Sequence, residues 1–242
     1  MPQTLPRPPA ALSALLGPTG GLSWHLTALR QRRHWRRSLE RIAQWLAQWQ
    51  PGTDELLVLG ASAGWCLPLP FLQRHRAIHC VDIDPVAGAL FRFRLGRALR
   101  QAGTSVTWER ADCVLHLTPI LQAHPRSAIL FANILGQHGL RARPQARAQA
   151  DLDGLASRLQ GRRWASFHDR LSGPWRAPHP PEATHSSARA LDSETLAREL
   201  GCHGVWRDHL TGQVLPESTP RQYVPWPLRP GVLHWLELGH VG

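Results

Sequence analysis

Two short apolar runs, linked through a turn of small residues and closed by an aspartate, constrain this chain more than any other feature. Leu56-Leu57-Val58-Leu59 stops at Gly60, and Ala77-Ile78-His79-Cys80-Val81 stops at Asp82. Runs of this length without strict alternation suit strands buried on both faces of a parallel sheet. The turn Gly60-Ala61-Ser62-Ala63-Gly64 has no bulky side chain, so its backbone can approach a ligand closely and point amides at it. A carboxylate about 20 residues beyond such a turn, at the end of the second strand, is placed to accept hydrogen bonds from a sugar diol.

These residues resemble the cofactor site of the class I S-adenosylmethionine-dependent methyltransferases. Their G-x-G-x-G turn matches Gly60, Ser62 and Gly64, with Ala61 between, and the carboxylate ending their second strand matches Asp82. The phrase Val81-Asp82-Ile83-Asp84-Pro85 before a helix is typical of them and adds Ile83 to the cofactor-binding set. Two positions depart from the family pattern. Ser62 replaces the middle glycine, and Val58 stands where an acidic residue helps fix the methionine end of the cofactor. The resemblance implies a Rossmann-like, seven-stranded, mostly parallel sheet with a C-terminal antiparallel hairpin. It also implies a methyl transfer that needs little acid–base help, since alignment and a dry pocket supply most of the acceleration. The acceptor is not written in these residues.

The 242 residues suffice for one α/β domain, residues 51–242, preceded by an N-terminal helical segment, residues 1–50. No apolar run approaches the roughly 18–20 residues of a membrane span, and residues 11–16 are too few for a secretory signal. Cys66, Cys80, Cys113 and Cys202 lack C-x-x-C spacing, which points to free thiols in a reducing cytoplasm and to no metal site. The net charge is +11 and every basic residue is arginine. Absence of lysine excludes a P-loop lysine and any Schiff-base chemistry.

In chain order, Leu22 to Gln50 reads as one helix, with Trp24, Trp35, Ile42, Trp45 and Trp49 near helical spacing. Its Arg30, Arg33, Arg37 and Arg41 form a candidate nucleic-acid contact. A helix packed by its tryptophans, with solvated arginines, is the competing reading. A helical turn within Ala10–Leu16, a short helix around Pro70–His75, and a longer one from Val86 to Arg100 follow. Ser105–Trp108 is a third strand leading to Asp112 and Cys113. The resemblance gives Asp112 and Cys113 an adenine contact, against a helix-capping role for Asp112 over residues 113–122. A fourth strand, Ser127–Ala132, ends in Asn133, which the resemblance turns toward the transferring methyl, with the 136–140 loop lining the substrate mouth.

An arginine- and alanine-rich helix from 141 to 159, broken near Pro144, precedes a fifth strand at Trp164–Phe167. That strand ends in His168-Asp169, where open α/β sheets keep ligands, so His168 is a candidate general base oriented by Asp169. Residues 172–190 read as a surface loop. Asp192 caps a helix to Leu200, and strands at 205–210 and 232–238 flank a Pro-rich crossing.

Two other functions compete. A non-catalytic relative with a weakened cofactor site would bind RNA or protein through the basic helix. A serine hydrolase is suggested by the match of residues 60–64 to G-x-S-x-G, with Ser62 as nucleophile and Asp169 plus His234 or His240 completing the order. Against it, nothing before residue 54 supplies the earlier strands or the oxyanion-hole loop.

Overall fold

The computed structural model describes residues 21–141, 145–177 and 179–242; the expected turn at 10–16 and the break near Pro144 lie outside them. Its sheet is built around β1 (Glu55–Leu59). Parallel neighbours are β2 (Ala77–Val81) on one side and β4 (Ala128–Ala132) on the other. Outside these lie β3 (Ser105–Glu109) and β5 (Trp164–Pro174), also parallel. Val58 sits between Cys80 and Leu130. Strands covered on both faces can be apolar at every position, which is why β1 and β4 show no alternation.

Beyond β5 the sheet reverses. β9 (Val232–Val241) pairs antiparallel with β5, and β8 (Arg221–Arg229) pairs antiparallel with β9. The strand order is therefore β3-β2-β1-β4-β5-β9-β8, extended by β6 (His185–Ser187) on β8, with β7 (Arg207–Asp208) on β5. This is the expected Rossmann-like α/β fold with its C-terminal antiparallel hairpin.

Helices cover both faces. On one lie α1 (Gly21–Gln31), α2 (Arg36–Gln48), α3 (Leu69–Leu72) and α4 (Ala87–Gln101). On the other lie α5 (Leu117–Ala123), α6 (Leu135–Arg141), α7 (Gln145–Asp153) and α8 (Leu155–Arg158). Ile42, Trp45, Leu46 and Trp49 join the same apolar cluster as Val58, Leu130, Phe167 and Leu236. Burial of Ile42 and Leu46 contributes about 1.5–3 kcal/mol each to holding α2 there. Trp35 meets Trp226 edge-on at 5.1 Å and stacks on Trp24 at 5.6 Å. A third cluster, Leu171, Leu196, Tyr223 and Trp235, packs α9 (Ser193–Glu199) against the strand ends. Asp192 caps α9 as expected, accepting from the Thr195 amide at 2.8 Å.

Several elements differ from the sequence reading. The single helix over 22–50 is two helices, separated by a turn at 32–35 that lets α1 swing over the sheet's C-terminal edge. Residues 136–140 are helix, not loop, and the helix expected from Cys113 starts at Leu117. The fifth strand runs through His168 and Asp169 to Pro174, so the expected 172–190 loop begins as strand and contains β6. The strand expected at 205–210 shrinks to Arg207–Asp208.

The Pro-rich crossing is itself largely strand β8. Proline removes a ladder donor and belongs at a sheet edge. At Pro225 and Pro227 that edge is free, because β6 reaches only residues 221–223. Helix α2 and the residue before it supply donors there instead: Ser38 Oγ donates to the Pro225 carbonyl at 2.8 Å, and Trp35 Nε1 donates to the Leu228 carbonyl at 3.2 Å.

Candidate functional site

The turn after β1 is held open by its backbone. Gly60 and Gly64 have φ of 78° and 68°, and Ser62 between them has φ 48°. A non-glycine residue in that region costs roughly 1–2 kcal/mol. Only Ser62, Asn133 and Leu210 do this among the described residues, and the first two line one cleft. Strain kept at a cleft is a pointer to function.

Asp82 binds that turn directly. Its Oδ2 accepts from the Ser62 amide at 2.7 Å and its Oδ1 from the Asp84 amide at 2.9 Å. A carboxylate has capacity for about four hydrogen bonds, and these two amides fix its orientation toward the cleft it lines. Asn133 closes the opposite side at the end of β4. Its amide donates to the Phe167 carbonyl at 2.8 Å, which ties β4 to β5, and its own carbonyl accepts from Gln137 Nε2 at 2.9 Å. Its side-chain Oδ1 is buried without a hydrogen-bond partner among the described residues. Leaving such an acceptor unpaired costs about 1–3 kcal/mol, and a bound donor would recover it.

Helix α1 roofs the cleft. Trp24 Nε1 donates to Ser62 Oγ at 3.3 Å. Asp84 Oδ2 accepts from the Gly21 amide at 2.6 Å and lies 3.1 Å from His25 Nε2. The Trp65 indole donates to His25 Nδ1 at 2.9 Å. Burial pushes the Asp84 carboxyl up, but His25 and the Val86 and Gly21 amides outweigh it and hold it below the usual carboxylate range. Trp24 and Asp84 are lining residues that the sequence reading missed, whereas Gln137 belongs to the 136–140 segment expected at the substrate mouth and does line the cleft. Asp84 had a signal in the V-D-I-D-P phrase; Trp24 had none.

Gly60, Ala61, Ser62 and Asp82 line the cleft together with Asn133. Gly64 lies behind it, where a Cβ would stand 2.6 Å from Leu95 Cδ1. The remaining expected cofactor residues do not line it. Ile83 is partly exposed and its carbonyl accepts from Arg110 Nε at 3.3 Å. Asp112 Oδ1 accepts from the Val114 and Leu115 amides at 3.0 and 3.1 Å, which holds the turn at 113–116; it does not cap the helix, which starts only at Leu117. Cys113 is buried and its thiol donates to the Val81 carbonyl at 3.2 Å.

His168 is not oriented by Asp169. Successive residues of a strand point to opposite faces. Fully buried His168 meets Ser166 Oγ at 2.7 Å and Glu237 Oε2 at 3.6 Å. Asp169 Oδ1 instead holds His234 Nδ1 at 2.7 Å, and the His209 ring stands 5.7 Å from that of His234. Burial raises the Asp169 carboxyl, but His234, His209 and His168 around it bring it below the usual range. Asp169 abuts helix α6, where a Cβ on Gly136 would come within 2.7 Å of its own Cβ. The pair Asp169–His234 exists, as the hydrolase reading required, yet Ser62 Oγ bonds to Trp24 and meets no histidine among the described residues.

The sheet is Rossmann-like, and a carboxylate is clamped to the strained small-residue turn at its centre. No family model matches the chain, and no curated protein matches it. Among solved structures it is similar to magnesium protoporphyrin IX methyltransferase (ChlM) from Synechocystis PCC 6803 with bound SAM. That match has 15% identity, 88% of this chain, 83% of that one and a TM-score of 0.46. It is also similar to the N-methyltransferase NodS from Bradyrhizobium japonicum WM9 with S-adenosyl-L-homocysteine, at 16% identity over 84% and 85% of the two chains, TM-score 0.41. A third is precorrin 8W decarboxylase from Methanobacterium thermoautotrophicum, at 15% identity over 84% and 89%, TM-score 0.41. At these values no residue role passes from them to this chain.

Proposed function

We propose that the protein is a methyltransferase that uses S-adenosylmethionine. The observation that carries this reading is the Asp82 carboxylate bonded to the Ser62 amide at 2.7 Å within a cleft lined by Gly60, Ala61 and Asn133. A nucleoside fits this set of groups: small residues let it near the main chain, and the carboxylate accepts from its diol. The unpaired Asn133 Oδ1 supplies an acceptor for an N–H at the far end. When bound, S-adenosylmethionine supplies an electrophilic methyl on a sulfonium. The chain's own contribution is orientation and exclusion of water: Trp24 and Trp65 cover the cleft from α1 and the turn.

Val58 is fully buried in the core, so the methionine end of the cofactor has no carboxylate from β1. This weakens binding relative to a site that has one. Calorimetric titration with S-adenosylmethionine tests the reading, with S-adenosylhomocysteine as competitor. The expected result is one saturable site shared by both. No heat and no thermal shift with either compound removes the assignment.

A further inference from the structure

A second groove adjoins the cofactor cleft, and Trp65, Cys66 and Leu67 line both. Its floor is apolar, with Leu39 and Ala43 from α2 facing Leu67 and Pro68. Its rim is strongly basic, formed by Arg32, Arg33 and Arg36. A fourth guanidinium, Arg94, lies 3.9 Å over the Trp65 ring and donates to the Ala63 carbonyl. One carboxylate, Glu40, answers these four charges. It meets Arg36 at 3.7 Å with both side chains largely exposed, a geometry worth little. The side chains of Arg32 and Arg33 have no carboxylate or hydrogen-bond partner among the described residues.

The crowding is felt. Burial, and then the Arg32 charge, push Arg94 down to about 10. Like charges gathered beside an apolar floor are a cost that a bound anion would remove. Cys66, between the two cavities, is pushed up to about 12 by burial, with Arg94 favouring and Asp169 disfavouring its thiolate. It is therefore a neutral partition there, not a nucleophile.

We propose that this groove seats the methyl acceptor, and that the acceptor is a small molecule with an apolar body and a carboxylate or phosphate held by Arg32, Arg33 and Arg36. This rests on the methyltransferase reading, because the groove is an acceptor seat only if a methyl donor occupies the adjoining cleft. A polynucleotide fits less well. Of the helix arginines available to track phosphates, Arg37 does not line the groove and meets Glu182. The apolar floor suits a hydrocarbon or aromatic body instead.

Binding of probes tests this without an activity assay. The probes are 1-naphthoate, phenyl phosphate, the uncharged 1-naphthylmethanol and a single-stranded oligoribonucleotide, measured by equilibrium dialysis. One of the two small anions is expected to bind at least tenfold tighter than the alcohol. The double variant Arg32→Gln/Arg33→Gln should lose that margin while keeping its melting temperature and its affinity for S-adenosylmethionine. Arg147→Gln, an exposed arginine on α7, should leave it intact. Equal binding of anion and alcohol, an unchanged margin in the double variant, or binding of the oligoribonucleotide alone overturns the proposal. An anion margin that behaves as expected in a protein that ignores S-adenosylmethionine leaves the anion site standing and removes only the methyltransferase reading.

Discussion

The Ser62 amide donates to Oδ2 of Asp82 at 2.7 Å, joining two strands' ends into one site. Hydrogen bonds to a charged group are worth about 1.5–3 kcal/mol. Asp82→Ala is therefore expected to weaken S-adenosylmethionine binding roughly tenfold to a hundredfold, read by calorimetry against the unchanged chain. Equal dissociation constants would separate Asp82 from the cofactor.

Helix α1 stays over the cleft because Asp84 holds both its first amide and His25. His25 Nδ1 accepts from the Trp65 indole, so the opposite nitrogen carries the proton that faces Asp84. Asp84→Ala should release this roof. Amide hydrogen exchange within Gly21–Gln31 is expected to speed up at least tenfold, while exchange in β1 stays slow. Unchanged protection in α1 would mean that the Trp24–Trp35 stacking and the bonds of Trp24 and His25 to Ser62 and Trp65 fix the helix without Asp84.

Arg221 is 1% exposed and bonded to Glu237 Oε1 at 2.5 Å. Its other nitrogens donate to the carbonyls of Leu215, Pro216, Glu217 and Thr219. Removing Arg221 leaves Glu237 only its longer contacts of 3.6 Å to Arg170 Nε and His168 Nε2, and breaking a buried pair costs about 3–5 kcal/mol. Arg221→Ala should lower denaturant stability by that amount. Changing both members, Arg221→Met with Glu237→Leu, should recover part of it. A single-variant loss below about 1 kcal/mol would be the signature of a surface pair.

His75 is 3% exposed, with its ring edge-on to Phe71 at 5.3 Å between ring centroids. Burial, with Arg74 beside it, pushes it down to about 4. Its folded value lies below the ordinary one of about 6.5, so the unfolded chain binds the proton first. Stability is fully present above about pH 6.5 and falls as the pH drops toward 4, by about 1.4 kcal/mol for each unit of the shift. His75→Phe should flatten this part of the pH–stability curve; an identical slope in the variant would assign the loss to other groups.

Local preference wrote the parallel half of the sheet plainly into the chain. The unalternating runs at 56–59 and 128–132, the small-residue turn at 60–64 and the Asp192 cap each depend on residues within a few positions. The same holds for Asp82 at the end of its strand. Pro225 and Pro227 argue locally against a strand, yet they lie in β8, because Ser38 on α2 and Trp35 just before it supply donors to its free edge. His168 and Asp169 read as a pair because they are adjacent, but a strand turns neighbours to opposite faces, so Asp169 found His234 from 65 residues away.

The sequence by itself determined the five parallel strands, the turn and the carboxylate that answers it, since each is a matter of backbone geometry or apolar periodicity over a short span. Only the tertiary structure decided that Trp24 roofs the turn, that Asp84 latches α1, and that arginines rim the groove beside the cleft. Those contacts join residues whose spacing in the chain carries no period, and they exist only once strand register and helix docking bring the side chains together.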